Sequence, residues 1–88
     1  MRVRYRVTDP TGLHARPAAT LVKAVSTIPG AVRIAFGSKE MNGKSILQVL
    51  SLGVHQDDWL ELIYETDDKM IIAACEAALA TILSKEVE

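Results

Sequence analysis

Hydrophobic and polar positions alternate at the start of this chain, shift to helical spacing, and then alternate again. In residues 2–8, Val3, Tyr5 and Val7 are interleaved with Arg2, Arg4 and Arg6, which predicts a half-buried strand. Asp9-Pro10-Thr11-Gly12 predicts a turn. From about 15 to 27, Ala18, Leu21, Val22 and Val25 recur at helical spacing, and Pro29-Gly30 stops that helix. Residues 31–36, a tight turn at Gly37-Ser38 and residues 39–41 predict a hairpin of two strands. Asn42-Gly43 turns the chain, and Ser45 caps a short helix over about 46–52 that Gly53 ends. Residues 54–58 follow as a loop and 59–64 as a fourth strand. Thr66 and Asp67 both suit the cap of a last helix running to about 84, with Ile71, Cys75, Ala78 and Ile82 on its apolar face and Leu79 beside it.

The order β-α-β-β-α-β-α has one economical solution. It is an α+β open-faced sandwich, a four-stranded, mainly antiparallel sheet with three helices on one face. With 88 residues and no internal repeat or linker, the chain is expected to be a single domain spanning 1–88.

Composition narrows the function classes. Apolar residues make up 49% and charged residues 24%, as in soluble globular proteins, and no apolar run approaches membrane-spanning length. The alternating N-terminus does not resemble a signal peptide. Cys75 is the single cysteine and reads as a small hydrophobe on a helix, so a reducing, cytoplasmic setting is expected. The net charge of −1 argues against nucleic acid as the main partner. That charge is uneven: residues 1–44 hold eight of the ten Lys and Arg and two acids, against two bases and nine acids in 45–88. A partner with an acidic surface would be steered to the first half if the two halves also form two faces.

The most informative chemistry lies in Gly12-Leu13-His14-Ala15-Arg16-Pro17-Ala18-Ala19. His14 stands directly ahead of a helix start, with Arg16 two positions on and Pro17 in the first turn, where a missing N–H costs nothing. Free first-turn amides and the positive helix end make an anion site. That field disfavours an added proton on the imidazole and leaves a lone pair to attack. A nucleophilic imidazole in a site suited to a dianion points to a histidine that carries phosphate. The plainer reading of a lone histidine there is a solvated residue or a cap. The other histidine, His55, reads as solvated; neither has a partner at metal-ligand spacing, and nothing nearby completes a catalytic triad. No metal and no cofactor are expected.

Asn42-Gly43-Lys44-Ser45-Ile46-Leu47 is the second informative stretch. Ser45 is explained by capping alone, yet a phosphate on it would meet helix amides and lie beside Lys44. Ile46, Leu47, Val49 and Leu50 exceed what one narrow core stripe needs, so part of them is a candidate docking surface.

Gly12-Leu13-His14-Ala15-Arg16-Pro17-Ala18 resembles the phosphorylation-site signature of the HPr family, the histidine-containing phosphocarriers of the bacterial sugar phosphotransferase system. Lys44-Ser45-Ile46, with Val49, Leu50, Ser51, Leu52 and Gly53, is similar to that family's regulatory-serine segment, and the likeness spans essentially the whole chain. The resemblance implies a stoichiometric carrier rather than an enzyme. His14 would take a phosphoryl group on Nδ1 from phosphorylated Enzyme I and pass it to the EIIA domain of a sugar permease. Arg16 would stabilise the phosphate, and the backbone amides of Ala15 and Arg16 would bind it. Ser45 would be the regulatory serine, modified in many Gram-positive bacteria by HPr kinase/phosphorylase to give a corepressor for CcpA in carbon catabolite repression. Ile46, Leu47 and Leu50 would be docking positions, and a monomer is the expected state.

Residues 54–59, Val-His-Gln-Asp-Asp-Trp, depart from the family pattern. That pattern has a small residue and a glycine in this loop and then an aliphatic strand start. The departure puts in doubt which partners the neighbouring surface accepts; the rival reading keeps the fold and changes the circuit, a specialised or nitrogen-branch paralogue with a mainly regulatory role. An RNA-binding domain fits poorly, because Tyr5, Phe36, Trp59 and Tyr64 are scattered rather than grouped on central strands.

Overall fold

The alternation in the sequence becomes the two faces of one sheet. The computed structural model describes residues 1–85, which form β1 (Arg2–Val7), α1 (Ala15–Ser26), β2 (Val32–Phe36), β3 (Lys39–Asn42), α2 (Ile46–Ser51), β4 (Trp59–Tyr64), α3 (Lys69–Leu79) and β5 (Leu83–Lys85). The sheet order is β3-β2-β4-β1-β5, every pairing antiparallel. Tyr5 and Val7, Val32 and Ile34, and Leu60, Leu62 and Tyr64 are buried on one face, and all three helices contribute to the same core. The architecture is the expected α+β open-faced sandwich, with one more strand. β1 and β2 run parallel with β4 between them, and β4 and β5 run parallel with β1 between them. The helices α1 and α3 are therefore the crossovers of two interlocked β-α-β units.

The fifth strand corrects the end of the last helix. Helix α3 stops at Leu79, well short of 84, and Leu83–Lys85 pairs with Tyr5–Val7. Without that strand the outer edge of β1 would expose a row of unpaired backbone groups, which the segment satisfies. Ile82 matched the helical stripe only by spacing. It is buried as part of the turn, and its carbonyl accepts from Thr8 N at 2.9 Å. The buried face of α3 is Ile72, Cys75 and Leu79, with Ile71 half-buried and Ala78 exposed. The cap is Asp68, whose carboxylate accepts from Met70 N and Ile71 N at 3.0 and 3.3 Å. Thr66 serves one step earlier, accepting from Asp68 N through its hydroxyl.

A polar chain runs through the core under α3. The Tyr5 hydroxyl donates to Glu76 Oε2 at 2.7 Å and lies 2.8 Å from the Tyr64 hydroxyl, which therefore donates to it. Lys85 Nζ closes on Glu76 Oε1 at 3.6 Å. Burial pushes the ionisation of both tyrosines well above the ordinary phenol range, and it pushes the Cys75 thiol up as well. An unfolded chain loses its phenolic protons near pH ~10 while the folded chain keeps them, so the unfolded state binds fewer protons there. Stability is thus full below that pH and falls as pH rises through it. The melting temperature is expected to drop from about pH 10 upward. In Tyr64→Phe the alkaline drop is expected to be shallower, at a cost of about 1 kcal/mol near neutrality; pH-resolved thermal melts of both proteins read this.

Candidate functional site

The loop into α1 is built before the helix begins. Asp9 Oδ1 accepts from the Thr11 hydroxyl at 2.7 Å and the Thr11 amide at 2.9 Å, which holds its carboxyl below the usual carboxylate range. Gly12 N then donates to Asp9 O, and Leu13 N donates to Val54 O at 3.1 Å. Gly12 has φ +68, and a Cβ there would meet Val54 O and sit 2.8 Å from His55 Cα. Only glycine lets the loop before α1 lie against the loop after α2.

His14 occupies the N-cap position of α1 in extended conformation (φ −120, ψ 154), but its side chain caps nothing and is exposed. Its ring is therefore presented to solvent. Ala15 follows with φ +48, a left-handed conformation that costs a residue with a Cβ about 1–2 kcal/mol. Such strain gathers at functional sites. Pro17 lacks an N–H and is buried, so Ala15 and Arg16 carry the amides at the helix start without intrahelical acceptors. Arg16 is exposed, and among the described residues its guanidinium makes no hydrogen bond or ion pair. The helix start thus joins an exposed imidazole, free amides and one uncommitted cation, an arrangement suited to a phosphoryl group.

The structure adds a neighbour that the sequence reading leaves as a solvated loop residue. The His55 ring centroid lies 6.3 Å from that of His14, the planes tilted by 53°. No local pattern in the sequence signals it, because the two rings belong to loops that meet only through the fold. Asp57 in the same loop adopts φ +72, a left-handed conformation that favours glycine, and its carboxylate reaches Arg6 at 3.1 Å.

The second segment lies at the start of α2, which packs against α1. The Ser45 hydroxyl accepts from Gln48 N, the expected cap. The neighbouring Lys44 has its ammonium engaged: it donates to Ile28 O and Gly30 O, both at 2.6 Å, and so ties the start of α2 to the segment after α1. Leu47 is 77% and Ile46 38% exposed, whereas Val49 is buried and Leu50 packs partly against the core. Two of the three docking candidates are therefore open to a partner.

The charge asymmetry along the chain is partly folded away. Arg2 meets Glu61, Arg6 meets Asp57 and Arg33 meets Glu40, at 3.3, 3.1 and 2.5 Å. Two of the bases in the first half are thus answered by acids of the second, and Arg33 by an acid of its own hairpin. Trp59 lies 39% exposed on the helix-free side of the sheet, with the Arg4 guanidinium 4.5 Å over its ring. The bulky residue of the atypical segment therefore faces away from the helical layer.

An open-faced sandwich with an exposed histidine at the first crossover helix defines a class of small phosphoryl-carrying domains. A family model described as the PTS HPr component phosphorylation site matches residues 1–83. The chain belongs to the HPr family, the phosphocarriers of the phosphotransferase system. Solved relatives agree. HPr-C-His from Thermoanaerobacter tengcongensis is 34% identical with a TM-score of 0.78, over 91% of this chain and 96% of that one. The phosphocarrier protein HPr of Bacillus anthracis str. Ames is 29% identical with a TM-score of 0.78, over 93% and 95%. A mycoplasma histidine-containing phosphocarrier protein is 27% identical with a TM-score of 0.80, over 92% and 93%.

Gly12→Ala is expected to destabilise the chain by more than about 1 kcal/mol, because a left-handed φ and a backbone clash coincide. The shift of the denaturant midpoint measures it.

Proposed function

We propose that this chain, acting as one domain over 1–88, carries a phosphoryl group on His14 Nδ1. It accepts the group from phosphorylated Enzyme I and passes it to the EIIA domain of a sugar permease. The observation that carries this reading is the match to a family described by its phosphorylation site, over a segment whose histidine is exposed and uncapped at a helix start.

The His14 lone pair attacks phosphorus as the bond to the donor breaks, and the reverse transfer delivers the group to the acceptor. Such transfers need in-line placement and charge stabilisation more than covalent help. The Ala15 and Arg16 amides and the Arg16 guanidinium supply that stabilisation. So few contacts suit a group that must leave again, and the chain turns over nothing by itself. No cofactor enters this reading. Partners exchange on a small surface around Ile46 and Leu47, with Leu50 behind them, which favours rapid dissociation. The chain works as a cytoplasmic monomer, with neither nucleic acid nor membrane as its target.

Ser45 is the proposed regulatory site, serving HPr kinase/phosphorylase and, through it, CcpA. A phosphate there keeps the capping role of the hydroxyl and adds negative charge beside the exposed Ile46 and Leu47. The atypical loop favours one second reading, a specialised or nitrogen-branch paralogue that keeps the His14 chemistry and serves a mainly regulatory circuit.

Intact mass after incubation with phosphoenolpyruvate and Enzyme I, before and after mild acid, tests the main reading. One acid-labile phosphate is expected, absent in His14→Ala; label retained in that variant moves the acceptor elsewhere. Ser45→Asp is expected to slow transfer through His14 by about ten-fold by opposing acidic partners; unchanged transfer kinetics would separate the two segments.

A further inference from the structure

His55 is not a wandering loop residue. Its backbone is pressed against Gly12, with Leu13 N bonded to Val54 O at 3.1 Å. Its own amide donates to Asp58 Oδ2 at 2.9 Å, and its carbonyl accepts from Asp58 N at 3.2 Å. Asp57 N donates to Val7 O and Val7 N donates to Asp58 O, at 2.8 and 2.9 Å, which fastens the loop to β1. The side chain, by contrast, is 76% exposed and able to turn. A rigid backbone therefore holds a rotatable imidazole with its ring centroid 6.3 Å from that of His14.

Two uncharged imidazoles in water gain little from such a tilted contact. A phosphoryl group on His14 changes the balance, because it brings negative charge and acceptor oxygens into the space beside the second ring. Among the described residues, the titratable groups whose side chains contact His55 are His14 at the start of α1 and Asp58 in its own loop, whose Oδ2 lies 3.9 Å from Nδ1. Asp57 is taken up by Arg6 of β1. A phosphoryl anion on His14 favours the imidazolium form of the ring beside it.

We propose that His55 is a second phosphoryl-holding residue, whose imidazolium donates a hydrogen bond to an oxygen of the group on His14. Loading the carrier then takes up a fraction of a proton from solvent around neutrality, and unloading returns it. The inference rests on the carrier role of His14 proposed above. By linkage, acid favours the loaded form and alkali the unloaded form.

The test brings wild type, His55→Gln and His55→Lys to equilibrium with Enzyme I at fixed phosphoenolpyruvate and pyruvate, near pH 6 and near pH 8.5. Dividing each phosphorylated-to-free ratio by that of His55→Gln removes the pH dependence of the reagents. Wild type is expected to exceed His55→Gln by about two- to five-fold near pH 6, the range of an exposed charge contact, and to equal it near pH 8.5. The permanent cation of His55→Lys is expected to keep the advantage at both. Equality with His55→Gln at both pH values overturns the role of His55, and an advantage that ignores pH overturns the proton uptake. Label in His14→Ala that vanishes when His55 is also replaced makes His55 the acceptor and overturns both proposals. A wild type that takes no phosphate overturns the carrier function, and this inference with it.

Discussion

Everything in this fold hangs on β4, the strand paired along both edges. Trp59–Tyr64 bonds to β1 on one side and β2 on the other, and Leu60, Leu62 and Tyr64 form the middle of the core. A strand so placed must be delivered between two others that precede it in the chain. The delivery is made by residues 54–58, which cross the end of β1 and bond to Val7 before β4 begins. That crossing brings the loop after α2 against the loop before α1. The geometry around His14 is thus a by-product of the strand order.

The contact between the loops is a backbone contact, which explains its sharpness. Gly12 has no side chain to yield, and Val54 O accepts from the neighbouring Leu13 amide. Ala15 then takes a left-handed turn that a relaxed helix start would avoid, and His14 is left without a capping role. On the proposed carrier role, this combination is useful. The imidazole is held in place by main chain alone, so its own nitrogens remain free for chemistry. The stabilising groups are few, and the phosphoryl group is not trapped.

The polar features divide by face. Across the sheet, arginines of β1 and β2 are matched to acids that lie far off in sequence or across a hairpin, and each exposed pair is worth at most about 1 kcal/mol. Within the core, Tyr5, Tyr64 and Glu76 satisfy one another, so phenol groups are buried without an orphaned proton. On the helical side, Lys44 secures the hinge of α1 and β2 instead of guarding Ser45. Each of these assignments depends on a partner more than ten residues away, apart from the Arg33–Glu40 hairpin pair.

What was legible in the chain was local. Period-two alternation located β1 and β4, the Gly37-Ser38 turn marked the hairpin of β2 and β3, helical spacing with Pro29-Gly30 and Gly53 bounded α1 and α2, and the run around His14 disclosed an anion site at a helix start, because each rests on neighbours within a few residues. The family resemblance drew on the same short motifs. The rest was decided by the tertiary structure. Residues 83–85 became strand because the edge of β1 needed pairing, although Ile82 fits the helical stripe of Ile71, Cys75 and Ala78. Asp68 took the cap that Thr66 and Asp67 equally suited, since the packed position of α3 selects its first turn. His55 came to face His14, forty-one positions away, because β4 enters between β1 and β2 and draws its loop across the site. Propensity and periodicity act within a turn or two of chain, whereas edge pairing, core register and the meeting of loops are set by contacts whose partners no local pattern names.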